Sequence, residues 1–233
     1  MKNLILTLSL VFSYLALNAQ VKHSGAMSEM GKTGFAPTIS LDSLQKYKGL
    51  IALGPLGKMQ GEITAVDGIP FTGILTAEGK GSIQSKWQSE APFLVYADVE
   101  QWEEISLKGR VNTIQELEAL IESTLIANGI DLLEPLPFRI QGNFDRMTTH
   151  IVTPRSPEIP GYVEGRNQVK FDHQNSAGEL IGFYSKEGQR IYTHHDSFMH
   201  VHFLSEEKDY AGHLDQFDSA LDGLTLLIPK GRN

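Results

Sequence analysis

The sequence predicts an α+β fold. Its first half carries a mixed β-sheet and one capped helix, and its second half is mainly antiparallel β. Three observations predict this. Asp67-Gly68 stands between two alternating apolar runs, the mark of a two-residue hairpin. Thr113 to Asn128 carries the one long apolar stripe at helical spacing. Beyond Leu133-Glu134-Pro135-Leu136-Pro137, the apolar runs are strand-like to the end.

Residues 1–19 read as a signal peptide. Lys2 supplies a positive start, Leu4 to Leu17 an apolar core, and Asn18-Ala19 a cleavage end. The run is short for a membrane span, and no cysteine follows it to carry a lipid. The expectation is an exported protein, periplasmic or secreted, with no membrane contact after cleavage. Residues 20–37 lack periodicity and read as a flexible lead-in. Ser40 is a candidate N-cap for a short helix that Gly49 would end.

Glu62 to Val66 and Ile69 to Ile74 form the predicted hairpin around Asp67-Gly68. Phe93 to Val99 is a further strand, apolar enough to be central. Thr113-Ile114-Gln115-Glu116 is a capping box, and Gly129 is the expected residue after the helix. The stripe Ile114, Leu117, Leu120, Ile121, Leu125 and Ile126 reads as core. An N-terminal α+β subdomain is thus expected over 38–132 and a C-terminal β subdomain over 133–233. In the latter, Phe138 to Val152 reads as a long strand or bent pair. Gln168 to His173 and Glu179 to Tyr184 read as strands around a turn at Asn175 and Gly178. Met199 to Leu204, His213 to Phe217 and Thr225 to Ile228 follow.

Composition limits the chemistry. The chain has no cysteine, so disulfides, thiolate ligands and a cysteine nucleophile are excluded. Any metal must be held by imidazole and carboxylate. The net charge is −8, and no basic run interleaves with aromatics. Nucleic acid is not an expected partner.

The strongest chemical signal is Met199-His200-Val201-His202-Phe203, with Gly212-His213-Leu214 ten residues on. Alternate residues of a strand share a face, so His200 and His202 can converge on one point. A third imidazole returning from a neighbouring strand would complete a catalytic-type metal site. A chance pair on a solvated strand face is the competing reading. His194-His195-Asp196 is a rival cluster, but adjacent residues of a regular strand face opposite ways.

Arg139, between Phe138 and Ile140, fits either a surface residue with its stem on the sheet or a bidentate carboxylate clamp. Glu62 fits an exposed strand-end acid or an acid/base beside a metal. Asp215 shares a strand face with His213 and could ligate, orient a histidine or face solvent.

Three segments occur in an order that resembles the α-acetolactate decarboxylase family. They are Gly54-Pro55-Leu56-Gly57-Lys58-Met59-Gln60-Gly61-Glu62-Ile63, Pro137-Phe138-Arg139-Ile140-Gln141-Gly142-Asn143-Phe144, and the His200-x-His202 segment with Ala211-Gly212-His213-Leu214-Asp215. The resemblance covers about residues 38–230. It implies two α/β subdomains in tandem, with the metal on the C-terminal sheet, and a homodimer. It implies a lyase of acetoin biosynthesis that decarboxylates 2-acetolactate to acetoin and CO2, a zinc ion stabilising the enediolate. It implies zinc ligands His200, His202 and His213, and catalytic residues Arg139 and Glu62.

Two features depart from the family. Its C-terminal tail carries a glutamate that reaches the zinc, and here no glutamate follows Glu207. What completes the coordination stays open. Pro55 and Lys58 replace a threonine and a small or polar residue in the loop before Glu62. The rival readings are an exported, non-catalytic zinc- or small-acid-binding relative and a cupin-like metal protein. The capped helix speaks against a single cupin barrel.

Overall fold

A computed structural model describes residues 20–154 and 167–231. The signal peptide read at 1–19 lies outside the described residues. Eight strands come first: β1 (Lys22–Ser24), β2 (Ile39–Ser40), β3 (Leu50–Pro55), β4 (Glu62–Val66), β5 (Ile69–Leu75), β6 (Gly81–Gln84), β7 (Glu90–Ala91) and β8 (Leu94–Asp98). β9 (Trp102–Ser106), β10 (Arg110–Val111) and helix α1 (Ile114–Ala127) follow. β11 (Leu136–Val152), β12 (Gln168–Tyr184), β13 (Met199–Ser205), β14 (Ala211–Ala220) and β15 (Thr225–Pro229) complete the chain.

The first sheet has the order β1-β8-β3-β4-β5-β6. Every neighbouring pair in it is antiparallel, so the mixed sheet expected for the first half is not formed. Short connections between β3, β4, β5 and β6 leave no room for the crossover that a parallel pair needs. The β4–β5 turn is as expected, with Asp67 at φ 50° and Gly68 at φ 73°.

The second sheet has the order β10-β14-β13-β12-β11-β15-β9. β14 also pairs with the far half of β11, so β11 to β14 close on themselves. β9, β10 and α1 precede the 132/133 division expected from the sequence, yet they pair or pack with this sheet. The turn expected at Asn175 and Gly178 is absent. β12 runs through both, paired with β11 from Gln168 to Tyr184. Asn175 does hold a left-handed φ of 48°, but it bends the ribbon instead of reversing it.

The two sheets stack face to face. Ile51, Leu53, Val95 and Phe93 of the first meet Ile181, Phe183, Leu204 and Ala211 of the second. The outer face of the first sheet is covered by a 3₁₀ turn at Leu41–Leu44, shorter than the helix expected there. The outer face of the second is covered by α1 through Leu117, Ile121 and Leu125. Thr113 caps α1 by accepting from Glu116 N–H, while Glu116 reaches back to Asn112 N–H. Ile126, expected in the stripe, is exposed.

The lead-in expected to be flexible is built into the fold. β1 pairs with β8, and Met27 N–H and Ser28 N–H donate to the Ile191 and Arg190 carbonyls at 2.8 and 2.9 Å. These bonds satisfy a backbone that its polar sequence leaves without periodic partners.

The backbones of the two sheets approach closely at Gly73 of β5. A Cβ there would lie 1.9 Å from the Ala211 carbonyl oxygen, so only glycine allows the approach. Gly73→Val should therefore cost about 1–3 kcal/mol of stability by overpacking, measured by urea unfolding. An unchanged midpoint would mean that the sheets separate freely at this point.

Candidate metal centre

β13 alternates as its pattern demands. Val201 and Phe203 join the core under α1, and His200 and His202 point to the inter-sheet face. β14 pairs His213 directly with His202. All three histidines are buried, and one nitrogen of each lies within 4.8 Å of the others. His200 Nε2 and His202 Nε2 are 3.1 Å apart.

Two nitrogens on a tetrahedral zinc ion, each about 2.0–2.1 Å from it, would sit about 3.3–3.4 Å apart. The donor set fits a divalent ion in chemistry and spacing. Burial, with His194 nearby, pushes His200 down to about 3. Burial and the neighbouring imidazoles hold His202 and His213 well below the usual histidine range. All three are thus free bases at neutral pH, the form that ligates.

The first sheet orients this cluster. Thr64 Oγ1 of β4 lies 2.9 Å from His202 Nδ1, which leaves Nε2 facing the other histidines. Such an outer partner fixes both tautomer and ring angle. Phe93 packs its ring 5.9 Å from that of His200.

Glu62 is not the exposed acid that one reading allowed. It is buried at the start of β4, with Oε2 3.7 Å from His202 Nε2 and Oε1 3.7 Å from His150 Nε2. Burial pushes its carboxyl well above the usual range; the Val152 N–H opposes this and Asp215 adds to it. A dication among the histidines would reverse that preference.

Arg139 is not brought to this cluster. It is buried, but its guanidinium is tied to Glu179 at 2.9 and 2.5 Å and to Asp67 at 2.8 Å. Trp102 stacks beneath it. Burial favours the neutral acid in Glu179, but Arg139 and Lys208 outweigh it and hold the carboxyl below its usual range. Arg139 is not the surface residue that one reading allowed; it joins the β4–β5 turn to the second sheet.

The residue that does reach the cluster from β11 is His150. It pairs with His213 across β14, and their rings are 4.8 Å apart. Its Nδ1 lies 2.7 Å from Asp215 Oδ1. Burial raises the Asp215 carboxyl, but the His150 bond and Lys170 prevail and bring it below its usual range. Asp215 thus orients a histidine, one of its expected roles, though not one of the three ligand candidates. Nothing in the sequence around His150 marked it. Only the closure of β14 on β11 places it here.

His194 also enters, its ring 5.1 Å from His213, and burial lowers its pKa. His195 and Asp196 stay exposed, and with His194 they still bring ligand atoms within 4.8 Å of one another, a second and solvent-facing group beside the buried one. Above the histidines lies a cavity of about 340 Å³ with Glu62 and His150 on its floor. Its walls are apolar, with Met27, Met30 and Phe35 from the lead-in, Pro55 from β3, Met59 from the loop before β4 and Phe93 from just before β8.

Two outcomes follow from this geometry. Thr64→Val should weaken divalent-metal affinity about 10- to 100-fold, read by competition with a chromogenic chelator. Arg139→Ala should lower unfolding stability by up to about 3 kcal/mol, because it leaves the buried Glu179 with Lys208 as its remaining cationic partner. Its metal affinity should stay that of the unaltered protein; a large loss would place Arg139 at the metal after all.

Comparison with known proteins agrees with the architecture. The family model described as alpha-acetolactate decarboxylase matches residues 23–228. The alpha-acetolactate decarboxylase of Lactococcus lactis subsp. cremoris is 26% identical over 183 residues, covering 77% of this chain and 72% of that protein. The crystal structure of alpha-acetolactate decarboxylase from Bacillus subtilis strain 168 superposes with a TM-score of 0.69 at 21% identity, covering 91% of this chain and 86% of that one. A Staphylococcus aureus protein of unknown function, described as similar to alpha-acetolactate decarboxylase, gives 0.68 at 16% identity, covering 89% and 84%. These structural likenesses are of fold. The family match spans both sheets and every residue of the histidine cluster, and the chain belongs to the alpha-acetolactate decarboxylase family.

Proposed function

We propose that the protein decarboxylates 2-acetolactate to acetoin and carbon dioxide, with a zinc ion held by His200, His202 and His213. One observation carries the reading. In a chain of this family, three buried, neutral imidazoles cluster beside a buried carboxyl, and His200, His213 and Glu62 of that group line an apolar cavity. Zinc bound there would supply Lewis-acid stabilisation of the negative charge that builds on the substrate oxygens as carbon dioxide leaves.

The chain's own groups do the rest. Glu62 lies between His202 and His150, so it is the group to hold and deliver the proton that the substrate carbon takes. His150, oriented by Asp215, and His194 take the carboxylate-facing place expected of Arg139. The apolar walls keep water from competing for the site.

The reading extends to the whole molecule. Each sheet with its covering helical element is taken as one of two tandem subdomains. Residues 1–19 are taken as a leader that exports the chain, and the mature protein as a homodimer. Among the described residues, no helix is long and apolar enough to cross a membrane.

Zinc-loaded protein offered racemic acetolactate should make acetoin above the spontaneous rate. A chelator should remove this activity and zinc restore it. His202→Ala should lower it by at least about a hundredfold, the scale on which losing an electrostatic stabiliser acts. Tight zinc binding with no acetoin above background would sink the proposal in favour of a non-catalytic, metal-holding relative.

A further inference from the structure

The cavity is larger and more apolar than a five-carbon hydroxy-oxo acid requires. It encloses about 340 Å³, within the range of pockets that hold much bigger ligands. Its polar groups are confined to the floor. The walls are Met27, Met30 and Phe35 from the lead-in, Met59 from the loop before β4, and Phe93 and Val152.

This wall is built, not incidental. Phe35, Met59 and Val152 form a buried cluster of their own, with Met30 packed against it. The lead-in is pinned beside the histidines by its bonds to the Arg190 and Ile191 carbonyls. Lys58 and Met59 both hold left-handed backbone, at φ 59° and 57°. Two consecutive non-glycine residues in that region are costly, and such cost is met where it aims a side chain at a site. Here it turns Met59 into the cavity. Methionine is the side chain that adapts most readily to differently shaped apolar groups.

A substrate of this chemistry offers one place to use that wall. Its carboxylate, hydroxyl and ketone oxygens belong to the polar floor, and its alkyl groups point away from it. We infer that this site is shaped for 2-hydroxy-3-oxo acids whose C2 substituent is an alkyl chain of three or more carbons. The inference rests on the decarboxylase reading of the same site. The reaction is unchanged. The bond from C2 to the carboxylate carbon breaks, carbon dioxide leaves, and the electron pair stays on the substrate. C2 then takes one proton, giving the hydroxyketone.

The test compares zinc-loaded protein on 2-acetolactate and on analogues with propyl and butyl in place of the C2 methyl, following carbon dioxide release. Each methylene buried against the wall should raise kcat/KM by about fourfold. Most of the gain should appear as a lower KM. Met30→Trp narrows the cavity and should cut the ratio of butyl to methyl efficiencies by about tenfold, with zinc content showing that the site is intact. Met30→Ala, which adds no bulk, should keep the ratio above one.

Efficient turnover of acetolactate with a steady fall along the series would overturn the size inference and leave the decarboxylase reading standing. No carbon dioxide from any member would overturn both. Turnover of the longer acids alone would support the inference and narrow the reading to them.

Discussion

Everything at the candidate site depends on two sheets being held face to face at close range. The candidate ligand histidines stand on the second sheet, while Glu62 and Thr64 come from the first and Phe93 from just before its strand β8. Neither sheet holds a complete site. Gly73 lets the backbones approach at Ala211, two residues before His213, and the Thr64–His202 bond sets the angle. The same contact removes water. Desolvation is the first cause of the low pKa of all three histidines and of the high pKa of Glu62. Packing therefore sets both where the groups stand and which protonation states they hold.

The second constraint is the curl of the β11–β12 ribbon. Arg139 and His150 lie eleven residues apart on one strand, ~36 Å if it were straight. One half of β11 pairs with β15 and the other with β14. One strand thus serves two regions: Arg139 fastens the β4–β5 turn, and His150 joins the histidines. A buried guanidinium between Glu179 and Asp67 is a structural clamp, and its charges are already spent on each other.

This division explains what was legible in the sequence. His200, His202 and the glycine-preceded His213 could be read because their convergence needs only strand alternation and one hairpin, both local. The Asp67-Gly68 turn and the Thr113 cap were legible for the same reason. His150 was not, because its place depends on a non-local closure of β14 on β11. The pairing of Arg139 with Glu179 and Asp67 was not legible, because alternation reports a face, not a position along it. Arg139 does face the inner side, two strands from His202, but its neighbours there are acids. Asn175 and Gly178 looked like a reversal because such residues mark turns. In a long coiled ribbon the same backbone freedom serves bending. The lead-in was opaque because its order comes from pairing with β8 and the 190 loop, not from any period of its own.

The straddling of two sheets also bears on how the chain acquires its site. Thr64 and His202 are 138 residues apart, so their meeting closes a very long loop. Pairings of this span form slowly and late, after the local hairpins. In the unfolded chain only short local sets such as His200-x-His202 and His194-His195-Asp196 are close enough to grip an ion, and they would do so weakly. The β13–β14 hairpin gathers all three histidines, and docking of the first sheet then orients His202 through Thr64, so a bound metal ion would hold both steps in place. It would favour by mass action every state in which that hairpin is formed, and the docked state most.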